Sequence, residues 1–173
     1  MLLFLDVVSP LPEFFIIEDN KVIFQRKILK NDHEKLSDNI FQTYIEIEQN
    51  LNLSVNLKKL AMTTGPGSYT GLRVGAAFLS GLQISRNLEF CPISLVDIFK
   101  FKTNINDTGD CGIFISSAKN QNYFCTLNNN KEIEYEIISN NKVFIKNNIS
   151  KIFYNVKKIE ANIESIEQYK FSF

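Results

Sequence analysis

The stretch Gly65-Pro66-Gly67-Ser68-Tyr69-Thr70-Gly71-Leu72-Arg73-Val74-Gly75 constrains this chain more than any other. Glycines at 65, 67 and 71 open backbone conformations that a Cβ forbids, and Pro66 stiffens the turn between them. Thr70 offers an N-cap to a following helix. Leu57 to Thr63 reads as a strand and Leu72 to about Arg86 as a helix, so the chain must turn sharply from one into the other. Two uses of such a turn stand side by side. The glycines can permit close packing of helix on strand. Alternatively, free N–H groups at the helix start, with Arg73 one turn in, can hold an anion. Gly65, Gly67, Ser68, Thr70, Gly71 and Arg73 are the candidates for that second use. No Gly-Lys-Ser/Thr follows, so the loop is not of the Walker type, nor is it a dinucleotide fingerprint.

The helix behind the loop is crowded with small residues: Gly75, Ala76, Ala77, Ser80 and Gly81. Glycine inside a helix costs roughly 1 kcal/mol against alanine, so two of them call for a reason. Ala76 with Ser80 and Ala77 with Gly81 lie four apart, which lets another helix approach closely. That neighbour is either the chain's own first helix or a partner's. The first helix is marked by Leu36, Ile40, Tyr44, Ile47 and Leu51 at three- and four-residue steps, with Asp32 as its expected N-cap. Phe41 and Ile45 give it a second apolar side, which suggests burial on its own sheet plus contact with something else.

Ahead of this helix, Leu2 to Val8, Glu13 to Glu18 and Lys21 to Ile28 read as strands, with Asp19-Asn20 as a two-residue hairpin turn. Phe90 to Ile93 reads as a short strand, and Ser94 as the cap of a short helix to about Phe101. Three antiparallel-type strands followed by helix, strand, helix, strand, helix is the order of a ribonuclease-H-like unit with a mixed sheet. Thr103 to Asp110 is polar and marks a boundary, giving halves of 1–102 and 103–173. In the second half Gly112 to Ser116, Tyr123 to Leu127, Glu132 to Ile138 and Val143 to Ile145 read as strands, with a turn at Asn128-Asn129-Asn130. Ile152 to Phe173 is ambiguous: Ile159, Ile163 and Ile166 have helical spacing, while Phe171 to Phe173 alternates.

Composition narrows the function classes. The chain carries 19 basic and 19 acidic residues and no basic stripe, so contact with nucleic acid is expected to be indirect. Cys91, Cys111 and Cys125 are too scattered for a disulfide framework or a zinc site and are expected as buried free thiols. No apolar run spans a membrane and the N-terminus lacks a signal-peptide pattern, so a cytoplasmic location is expected. His33 is the single histidine. With Glu34 and Asp38 it is read as an exposed helix start, not a metal site. Ser68 has no nucleophile elbow around it. Asp6 and the distant Asp97 are the candidate magnesium-holding acids for a nucleotide, with Asp6 more simply ending its strand. No catalytic residue, metal or cofactor is expected.

The Gly-Pro-Gly-Ser-Tyr-Thr-Gly-Leu-Arg-Val-Gly segment, between a strand and a small-residue helix, resembles the signature of the TsaB family, also called YeaZ. His33-Glu34-Lys35-Leu36 is similar to that family's opening of its first helix, and Cys91-Pro92-Ile93-Ser94-Leu95 to its short strand and helix start. The resemblance covers residues 1 to about 100. It implies an actin-like fold of two ribonuclease-H-like halves. It also implies a non-catalytic subunit that pairs with the related catalytic subunit TsaD through a bundle of the first two helices of each. With the ATPase TsaE, that pair transfers threonylcarbamoyl to tRNA adenosine, so tRNA is met through the complex. Ile40, Tyr44, Ile47, Leu72, Ala76, Ala77, Ser80 and Gly81 are the expected contacts. Without TsaD the same helices are expected to support a homodimer. Three departures stand out: Val7-Val8 after Asp6, Ser117-Ala118-Lys119 in place of Asp-Ala-Arg, and a short second half that can be little more than a sheet.

Overall fold

A computed structural model of the chain describes residues 1–9, 11–31, 33–95, 97–98, 110–116, 122–127, 133–138, 142–143, 149–154, 160–161 and 167–170. They fall into two compact units, one of Met1–Gly65 and Tyr69–Asp97, the other of Pro66–Ser68 and Ile98–Phe173.

The first unit is a five-stranded sheet in the order β3-β2-β1-β4-β5. Its strands are β1 (Leu2–Asp6), β2 (Glu13–Glu18), β3 (Lys21–Lys27), β4 (Lys59–Thr63) and β5 (Glu89–Ile93). β1 pairs antiparallel with β2 and parallel with β4, and β5 runs parallel to β4. Asp19 and Asn20 join β2 to β3 with φ of 49° and 60°. Positive φ at both positions is the primed turn that matches strand twist, and Asp and Asn tolerate it. The parallel crossovers carry the helices α1 (Leu36–Leu51), the single turn α2 (Leu53–Asn56), and α3 (Tyr69–Arg86). Asn52 (φ 50°) and Asn87 (φ 53°) end the two long helices in the left-handed conformation.

Leu3 and Leu5 of β1, Phe14 and Ile16 of β2 and Leu60 and Met62 of β4 form one core with Ile40, Tyr44 and Ile47 of α1 and Leu79 of α3. Each fully buried large apolar side chain there contributes about 1.5–3 kcal/mol by leaving water. α1 begins at Leu36, later than the expected cap at Asp32, which lies outside the described residues. Its first turn follows Lys35 with no side-chain cap. The polar side chains just ahead serve the loop instead: His33 N–H donates to Asn31 Oδ1 (3.0 Å) and Lys30 N–H to Glu34 Oε2 (2.8 Å). Ser94 does cap the residues after β5, accepting from Asp97 N–H at 3.0 Å.

The second unit repeats the strand order of the first. β6 (Asp110–Ser116), β7 (Asn122–Leu127) and β8 (Ile133–Ile138) form an antiparallel meander. β10 (Ile149–Tyr154) lies parallel to β6, and β12 (Glu167–Lys170) parallel to β10. The sheet order β12-β10-β6-β7-β8 is therefore the first unit's order over again. Two ribonuclease-H-like halves in one chain make the actin-like class. The crossovers differ. The described residues of the second unit's crossovers are β9 (Lys142–Val143) and β11 (Glu160–Ala161), paired parallel to each other. Ile159, Ile163 and Ile166, whose spacing is helical, lie outside the described residues, as does the expected turn at 128–130.

Candidate partner-docking face

α3 begins at Tyr69, not Leu72, so Thr70 and Gly71 are helical and Thr70 is not the cap. The turn before α3 explains its first glycine. Gly65 has φ of 101°, which strains any residue with a Cβ. Its carbonyl accepts Leu95 N–H at 3.1 Å, and Thr64 N–H donates to Ile93 O at 2.9 Å, stitching the turn to the end of β5. Gly67 and Gly71 are buried. Arg73 is exposed, its guanidinium 5.3 Å from the centre of the Tyr69 ring.

The two helical glycines have different causes. A Cβ on Gly75 would sit 3.0 Å from Met62 Sδ and 3.0 Å from Val7 Cγ1, so glycine lets α3 lie close on β1 and β4. A Cβ on Gly81 would meet nothing within 4 Å. Gly81 is exposed, as are Ala77 and Ser80, while Leu72 and Ala76 are partly buried and packed against the core. Beside this stripe Ile84 is 83% exposed, and on α1 Phe41 is 63% exposed. Tyr69, at the first position of α3, is 69% exposed.

Ile40, Tyr44 and Ile47 do not belong to an outer face. All three lie in the core, and Tyr44 is 1% exposed, its ring against Phe14 and Phe78. The periodic stripe of α1 is its sheet-facing side, so these three are not on the outer side expected of them; Phe41 is exposed and Ile45 half-buried. At the C-terminal ends of the two helices, Arg86 pairs with Glu48 and lies 5.9 Å over the Tyr44 ring. Burial pushes the Tyr44 hydroxyl up to about 12, with Arg86 opposing and Glu48 reinforcing the shift.

Asp6 ends β1, as expected. Its Oδ1 accepts from Val8 N–H (2.9 Å), Ser9 N–H (3.3 Å) and Thr63 Oγ1 (3.4 Å), while Oδ2 is buried and makes no hydrogen bond of good geometry. Burial raises its pKa; the Ser9 side chain, the Val8 and Ser9 N–H groups and Thr63 pull it back in part. The carboxylate is thus engaged in holding its own turn. Among the thiols, Cys125 is buried and pushed up to about 12 by desolvation. Cys91, expected buried, is exposed because β5 is the outer strand of its sheet. No described helix is long and apolar enough to cross a membrane.

The family model for TsaD, the tRNA N6-adenosine threonylcarbamoyltransferase, matches residues 28–173. YeaZ from Pseudomonas aeruginosa shares the fold at a TM-score of 0.58 and 12% identity, over 96% of this chain and 85% of that one. A structure described as an uncharacterized protein with similarity to peptidase YeaZ, from the same organism, gives 0.56 and 13% over the same shares. No curated protein matches the chain.

Proposed function

Because the chain belongs to the TsaD family and has the fold of YeaZ, we propose that it is the TsaB-type, non-catalytic partner that binds and activates a TsaD-type catalytic subunit in tRNA threonylcarbamoyladenosine synthesis. The observation that carries this reading is the outer face of α1 and α3. A helical glycine with open space above it, at Gly81, has no cause within the described residues; Ile84 one turn on and Phe41 of α1 are exposed as well. Such a face is what a closely approaching helix would cover. Activation then follows as an equilibrium effect: a scaffold that binds the active arrangement of TsaD more tightly than the inactive one shifts the population toward it.

On this reading the threonylcarbamoyl chemistry resides in TsaD, the ATPase step in TsaE, and tRNA is met through the assembled complex. The chain contributes surface, not reacting groups, and works in the cytoplasm. Co-purification with TsaD from the same source, followed by sizing, tests it: a stable one-to-one pair is expected. Absence of any pair across salt and nucleotide conditions would refute the scaffold role.

The same exposed face favours a second reading, a self-associating actin-like protein with vestigial nucleotide or anion binding. It predicts a concentration-dependent homodimer that TsaD does not dissolve. The scaffold reading predicts that TsaD displaces any such dimer.

A further inference from the structure

Arg86, the last residue of α3, is held by two residues of α1 one turn apart: Glu48 pairs with its guanidinium, and the Tyr44 ring lies beneath it. Among the described residues this is the ion pair that joins the two helices. Its side chains are only 25% and 19% exposed. Arg86 Nη1 is buried without a hydrogen bond of good geometry, while the Tyr44 hydroxyl lies against Glu48. Half-buried charges pay desolvation, and an unmatched donor adds to it, so the cluster is a poor source of stability. Around it Tyr44 packs on Phe78 of α3 and on Phe14 of β2, contacts that hold the helix by shape, and the charge pair adds a directional link between the two helices at one fixed height.

We propose that the Glu48–Arg86 pair, seated on Tyr44, is a positioning device that sets the spacing and register of α1 and α3, and so aligns Phe41 and Ile45 with Gly81 and Ile84 for a partner. This rests on the reading of that face as a docking surface. The residues concerned lie within two turns of the pair on each helix, so a shift at the pair is carried directly to the face.

The test replaces the pair by apolar groups, Glu48→Leu with Arg86→Met. Spin labels at Gln49 and Ser85, both exposed, report the helix spacing of the isolated chain in a background with its cysteines replaced. The denaturation midpoint should stay at or above that of the parent, while the distance distribution broadens or shifts and affinity for TsaD falls at least tenfold. An unchanged distance with unchanged affinity would overturn the proposal, as would a distance that changes only in step with lost stability. Should the double variant not fold, the reversed pair, Glu48→Arg with Arg86→Glu, decides. Recovery of distance and affinity over either single change is expected, and no recovery sinks the idea. The spacing is read without TsaD, so failure of the parent chain to bind TsaD would count against the docking reading alone.

Discussion

Asp6 shows how a residue that looks chemical can be structural. Its carboxylate receives two backbone N–H groups and a hydroxyl at the end of β1, yet it is 1% exposed, and burial outweighs those hydrogen bonds to raise its pKa above the ordinary 3.8. The sign of the pH effect follows. A carboxyl whose folded pKa is raised gives its full stabilisation below 3.8 and loses it as pH rises through the folded value. Asp6→Asn keeps the acceptor for Val8 and Ser9 without the charge. It should therefore match or exceed the parent in urea midpoint at pH 7, with the advantage vanishing near pH 3. A loss of more than about 2 kcal/mol at pH 7 would mean that the ionised carboxylate is required.

At the scale of elements, α3 carries two glycines with opposite expectations. Gly75→Leu must force its side chain between Met62 and Val7, and should destabilise by about 1–3 kcal/mol in chemical denaturation. Gly81→Ala meets open space and gains helix propensity, so it should stabilise by roughly 0.5–1 kcal/mol. The sequence shows both glycines but not which one lies on the sheet, because that depends on how α3 is rotated over β1 and β4. The same limit misplaced Ile40, Tyr44 and Ile47: the strongest stripe of α1 marks the side that its own sheet takes. Strand positions were easier to read, since Asp19-Asn20 permits a single tight turn and the flanking runs are β-branched and aromatic. The start of α1 was not, because Asn31 and Glu34 spend their side chains on the preceding loop. In the second unit 142–143 and 160–161 pair as strands.

For the whole molecule, the repeated strand order says that the two units share one topology and differ in what crosses their sheets. Among the described residues, long helices occur only in the first unit. The candidate face combines exposed Phe41 and Ile84 with the small residues Ala77, Ser80 and Gly81. A bulky charge at its centre should therefore act on association and leave folding alone. Ala77 is exposed, so Ala77→Arg should change the unfolding free energy by less than about 0.5 kcal/mol. The decisive measurement is a calorimetric titration of TsaD with the parent chain and with Ala77→Arg. The scaffold account predicts one-to-one binding by the parent and a loss of at least about 100-fold in the variant, close to 3 kcal/mol. Equal affinities, or no heat of binding from the parent, would contradict it.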